Sequence, residues 1–150
     1  MKGTIKYYLS LGIIVLAGCA APEPTPTAIP EPTATTIPVL AQSADEIFGI
    51  WQSGSGNIKL YFQFNPDGTF RVAQRELSNL QEGPTMVGEY SVEAGLVTLD
   101  TNAESALCTG QVGIYEVYLL DGDRISLILK EDPCLIRATT AWEGMQLLEQ

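Results

Sequence analysis

Side-chain catalysis needs a nucleophile beside a base, carboxylates with separated pKa values, or a set of metal ligands. The 150-residue chain offers few of these. It contains no histidine, which excludes Ser-His-Asp and Cys-His relays and histidine-rich zinc sites. The acidic pairs Asp121/Asp123 and Glu131/Asp132 fall in turn-like sequence, where solvated loop charge is the ordinary reading. A calcium loop needs acidic residues on a one-three-five-twelve pattern, and Asp121-Gly122-Asp123 lacks the rest. Glu89 beside Tyr90 could serve as an acid, but strand alternation turns the two to opposite faces. Ser53-Gly54-Ser55-Gly56 reads as a flexible hairpin loop without the lysine of a phosphate-binding loop. No catalytic residue, metal site or cofactor is assigned, and the chain is expected not to be an enzyme. With 18 acidic residues against 8 basic, the net charge of −10 also excludes electrostatic attraction to nucleic acid. The chemistry left to place is that of three cysteines: Cys19, Cys108 and Cys134.

The segment carrying the first cysteine reads as an address. Lys2 and Lys6 precede an apolar run from Tyr7 to Leu16, too short to span about 30 Å of hydrocarbon as a permanent helix. The run ends in Leu16-Ala17-Gly18-Cys19, which resembles a bacterial lipobox. That resemblance implies cleavage before Cys19 and acylation of its sulfur. It implies export and lipid anchorage to the bacterial cell membrane, with the domain facing outward or into the periplasm. Residues 1–18 are then a signal peptide, and 19–43 a lipidated N-terminus and linker. Six of the nine prolines lie between Pro22 and Pro38, interleaved with threonine. Proline fixes φ and removes donors, so an extended spacer is expected rather than a helix or sheet. Loss of Lys2 and Lys6 leaves six basic residues against 18 acidic, a net charge of −12. Such a domain gains nothing from anionic headgroups, so the anchor alone must hold the membrane.

Residues 44–150 show period-two alternation punctuated by turns. Ile58, Leu60, Phe62 and Phe64 alternate with Lys59, Tyr61 and Gln63, and Asn65-Pro66-Asp67-Gly68 turns the chain into Phe70 and Val72. Gly49 to Gln52, Met86 to Val92, Leu96 to Asp100, Gly113 to Leu120, Arg124 to Lys130 and Thr139 to Leu147 complete about eight strands. Helical turns are compatible with Ala44 to Phe48 and Glu76 to Gln81. Such a meander closes into an up-and-down barrel or stacks as a sandwich. Gly49-Ile50-Trp51, Gly88-Glu89-Tyr90 and Gly113-Ile114-Tyr115 repeat glycine, any residue, aromatic. Glycine kinks covered by aromatic rings are how small sheets curve, which favours the barrel.

Gly49-x-Trp51 after a short helical turn, Phe64-x-x-Asp67-Gly68-Thr69-Phe70, Gly88-x-Tyr90 and Asp132-Pro133-Cys134-Leu135-Ile136-Arg137 together resemble small bacterial lipocalin-like (calycin-type) domains. The resemblance implies an all-β, antiparallel up-and-down barrel of about eight strands. It also implies a basic side chain, Arg137, packed over Trp51 in a cation–π contact. The chain is shorter than a typical lipocalin and shows no long lid loop after the first strand.

With Cys19 acylated, Cys108 and Cys134 are left as a pair. If Leu120 faces Arg124 across a tight turn, paired positions sum to 244, and the two cysteines miss this register by one diagonal step. A structural disulfide is expected. Trp51, Leu60, Phe62, Phe70, Tyr90, Tyr115 and Val117 are expected to face inward and line a site for a small apolar or aromatic ligand. The competing expectation is a filled barrel that binds an envelope protein through loops such as Glu76 to Pro84 or Thr101 to Gln111.

Overall fold

A computed structural model describes residues 37–55, 58–121, 123–140 and 142–150; the side chains of Ser55 and Ile58 are outside this description. The signal segment, Cys19 and the linker to Thr36 also lie outside the described residues. The strands are β1 (Val39–Leu40), β2 (Gly49–Ser55), β3 (Ile58–Phe64), β4 (Thr69–Gln74), β5 (Met86–Glu93), β6 (Leu96–Thr101), β7 (Val112–Leu119), β8 (Arg124–Glu131) and β9 (Met145–Glu149). A 3-10 turn spans Ala44–Glu46, and two four-residue helices are α1 (Asn79–Glu82) and α2 (Leu135–Ala138). Strands β2 to β9 form a closed antiparallel barrel, each paired with its neighbour in sequence. β9 pairs with both β2 and β8 to complete the ring, and β1 adds a short edge to β7. This is the eight-stranded architecture read from the alternation, consistent with a lipocalin-like fold.

The register explains the core. Trp51 stands opposite Phe62, Phe64 opposite Phe70, Tyr90 opposite Leu99 and Val97 opposite Tyr115, all buried. β7 and β8 hold the 244 register from Leu119↔Ile125 to Tyr115↔Leu129, then shift at Ile114. Three sequence expectations are corrected. Ser53, Gly54 and Ser55 belong to β2 rather than to a loop, because they pair with Leu60, Lys59 and Ile58. The last strand does not begin at Thr139: its ladder starts at Met145, after α2 and a connecting stretch. Tyr61 is not solvent-facing, since Leu80 of α1 packs with it and Ala73 in a second, outer apolar cluster.

The up-and-down order places alternate connections at opposite ends. One end carries Asn65–Gly68, Ala94–Gly95 and the turn at Asp121–Asp123, together with β1 and the 3-10 turn; we call it the turn end. The other carries the connections that follow β2, β4, β6 and β8, including α1 and α2; we call it the plug end. At the turn end, Gly49 takes φ +131°, and a Cβ there would meet the Glu149 carbonyl at 2.7 Å. This close approach is the structural reason for glycine at that position.

Candidate interaction surface

Cys108 and Cys134 form a disulfide with Cα atoms 5.4 Å apart. Neither lies on a strand: Cys108 precedes β7 and Cys134 caps α2. The register shift at Ile114 moves the ladder away from a Cys108↔Cys134 pair, so the bridge is made by the two connections leaning together beyond the strands.

Arg137 sits beneath that bridge, on α2. Its side chain and that of Asp132 are both fully buried and form a two-toothed ion pair, Nε to Oδ2 at 2.5 Å and Nη2 to Oδ1 at 3.0 Å. The guanidinium also donates to the Thr101 hydroxyl and to the Gln111 carbonyl at 3.0 Å. Tyr115 donates its hydroxyl to Asp132, and the Cys134 amide donates to the same carboxylate at 2.8 Å. Burial alone would raise the Asp132 carboxyl; the bonds from Arg137, Tyr115 and Cys134 outweigh it and hold it below its ordinary value. Burial first, and then the neighbouring Asp132, push the Tyr115 hydroxyl well above its ordinary value. A Cβ on Gly113 would run into this ion pair, which is why β7 carries glycine there. The expected partner of Arg137 was the face of Trp51. Its donors instead reach Asp132, Thr101 and Gln111, while Trp51 directs its indole N–H to the Ile47 carbonyl at 2.8 Å.

This buried arginine turns α2 inside out. Leu135 and Ile136, its large apolar residues, are 74% and 51% exposed, whereas Arg137 is 0% exposed. The helix is tied to the loop before β7 by the disulfide and to the ends of β6 and β7 by the ion network. It therefore holds two aliphatic side chains in water at a fixed place. Val112, at the start of β7, is also partly exposed at this end. The loops Glu76 to Pro84 and Thr101 to Gln111 lie here too, so both segments expected to carry recognition share one end with α2.

The seven side chains expected to line a ligand cavity fall elsewhere. Trp51, Phe62, Phe70, Tyr90, Tyr115 and Val117 are no more than 6% exposed and belong to one packed cluster; Leu60 is partly buried against it. Trp142, which sequence reading assigned to a strand, enters the same cluster from the connection after α2. Its ring centroid lies 4.2 Å from that of Phe62 and 5.6 Å from that of Tyr115. Among the described residues, grooves of about 170 to 390 Å³ open on the rim or outer wall, and their linings do not include the seven. The inward direction read for six of them is therefore correct, but they meet each other. Eight strands enclose a space that side chains can fill.

Glu89 and Asp100 stand opposite each other and exposed on the outer wall. Among the described residues no cluster of three or more potential ligands is placed to hold a metal ion. No helix of those residues is long and apolar enough to cross a membrane. In comparison with known proteins, the chain matches no family model, no curated protein and no solved structure.

Proposed function

We propose that this protein is a lipid-anchored, extracytoplasmic interaction module, not an enzyme, whose plug end docks an envelope protein. The observation that carries the reading is the inverted α2, which buries Arg137 and displays Leu135 and Ile136 beside the disulfide. Rigid, solvent-facing aliphatic anchors suit a protein partner, because little conformational entropy is lost when they are buried. The chain enters the domain at the opposite end, through β1 and the 3-10 turn. The lipobox sequence and the disulfide both support export. A small apolar ligand in the barrel mouth is the weaker reading, since the side chains assigned to it fill the space.

The test is a photo-crosslinking amino acid placed at Leu135 and, separately, at Glu89 in the anchored protein in its native envelope. A discrete protein adduct from position 135 and none from 89 is expected; adducts of equal yield, or none from 135, count against the reading. Anchorage is tested by Cys19→Ala, which should move the protein from the membrane to the soluble fraction. Continued membrane association would remove the lipid anchor from the proposal.

A further inference from the structure

Closing a sheet into a barrel removes its edges, yet one stretch of this ring is not closed by the neighbouring strand. β8 is eight residues long and pairs with β7 along nearly its whole length. With β9 it pairs only at Arg124↔Gln146 and Ile125↔Met145. One more bond, from the Leu127 amide to the Trp142 carbonyl at 3.1 Å, joins it to the connection that precedes β9. Among the described residues, no backbone bond reaches β8 from that side beyond Leu127.

Alternation fixes which backbone groups are left over. Successive residues of a strand turn their amide and carbonyl to opposite edges. The Leu127 amide points away from β7, so the Leu127 carbonyl and both backbone groups of Leu129 point that way too. The ladder then bulges, since Leu129 faces Tyr115 while Glu131 faces Ile114. The free edge is short: one amide and two carbonyls. It opens on a groove of about 170 Å³ between β8 and the connection, lined by Ile128, Leu129, Ala138, Thr140 and Glu143 among others. Ile128 and Leu129 are 38% and 44% exposed. Ile128 and Glu143 also line a groove of about 390 Å³ over Tyr118 and Leu120, so the opening continues along the outer wall. The charge beside this edge is acidic. Glu131 and Glu143 are exposed and, among the described residues, have no basic partner. Lys130, next to Glu131, is engaged by Glu116 at 3.0 Å.

We propose that the β8 edge at Leu127–Leu129 takes an extended segment of a partner protein, apolar at its centre and basic at its flanks. Strand addition needs unpaired backbone groups beside an open groove, and this edge has both. The segment exchanges an amide and a carbonyl with Leu129 and donates a further amide to the Leu127 carbonyl. Its central side chains cover Ile128 and Leu129, and its flanking lysines or arginines meet Glu131 and Glu143. A second copy of this chain is a poor occupant, because it brings a net charge of −10 to an acidic edge. The site lies beside α2 but uses neither Leu135 nor Ile136, so it stands or falls independently of their docking.

The test uses the full mature chain, with a capped peptide of three valines between pairs of lysines as the probe. One control is the same peptide N-methylated throughout, and the other replaces lysine by glutamate. The lysine peptide should shift the Leu129 amide resonance saturably while that of Phe62 stays in place. Both controls should bind at least about tenfold more weakly, the first through lost backbone bonds and the second through repulsion. No saturable shift at Leu129, or equal affinity for the N-methylated peptide, overturns strand addition. Equal affinity for the glutamate peptide overturns the basic partner. A Leu129 resonance that moves on concentrating the chain without peptide assigns the edge to a second copy and also overturns the proposal. Leu129→Pro removes the edge amide and should weaken binding at least about tenfold relative to Leu129→Ala; equal affinity of the two counts against the edge. If Leu129→Pro does not fold, the N-methylated peptide on the wild-type protein decides.

Discussion

The two ends of the barrel are closed by different physics. At the turn end the strands are joined by short turns whose bonds are local. Asp67 accepts from the Thr69 amide and hydroxyl, Gly68 takes φ +81°, and the Asn65 amide donates to the Thr69 carbonyl at 2.9 Å. At the plug end the connections that follow β6 and β8 are long and are held by a disulfide, a buried ion pair and an indole. Local turns need only a few residues to agree with one another. The plug end needs residues as distant as Thr101 and Arg137 to meet, so its failures should be larger and more cooperative.

The largest effect is expected from Arg137→Met, which leaves Asp132 buried without its counterion. Breaking a buried pair this way is destabilising by about 3 to 5 kcal/mol. Urea unfolding should recover part of that loss in the double variant Arg137→Met/Asp132→Asn, and a harmless single change would show that the pair does not hold the plug. Reduction of Cys108–Cys134 comes next, at about 3.5 kcal/mol in the chain-entropy model for a loop of this length. It is read by unfolding with and without dithiol, and the two curves should separate clearly. Acid should act at this same end. The Asp132 carboxyl is held below its unfolded value, so its contribution is complete above about pH 4 and is lost as pH falls through the lower folded value.

Alkali sharpens the comparison from the turn end. Burial, with the Asp45 and Asp67 carboxylates nearby, pushes the Tyr90 hydroxyl up to about 12, and this group donates to the Asn65 carbonyl at 3.0 Å. A phenol whose folded value is raised keeps its full contribution below pH 10 and loses it as pH rises towards 12. The change is on the order of 3 kcal/mol at about 1.4 kcal/mol per unit. Thermal melts of Tyr90→Phe between pH 9 and 12 should be flatter than those of the wild type; parallel slopes would assign the effect elsewhere. The smallest change is Gly68→Ala, about 1 to 2 kcal/mol for a side chain forced into the left-handed region. Chemical denaturation giving a loss as large as that of Arg137→Met would end the contrast between the two ends.

How much was legible follows the same division. Alternation found the strands because a half-buried strand repeats every two residues, and the turn from Asn65 to Gly68 announced itself through proline and glycine. The repeated glycine and aromatic positions pointed to a curved sheet, and Gly113 earns its place through an ion pair rather than an aromatic cover. Asp132 and Arg137 stood out in the motif, but the tryptophan chosen as Arg137's partner was the wrong kind of neighbour. Trp142 was legible only as part of an alternating run, because a side chain entering the core from a connection has no period to mark it. Tyr61 was missed for a related reason: the apolar residue covering it, Leu80, lies in a short helix with too few turns to show helical spacing.

The sequence by itself determined the order of strands, the inward direction of most large side chains and the even number of cysteines left for the domain. These are properties of neighbours along the chain, where pleat, turn and pairing register act over a few residues. Only the tertiary structure decided that the inward aromatics fill the barrel, that Arg137 is spent on Asp132, and that Leu135 and Ile136 are left in water. Those outcomes depend on which distant groups arrive at the same place. Burial of a charge forces that choice, because an ion removed from water must find its partner there.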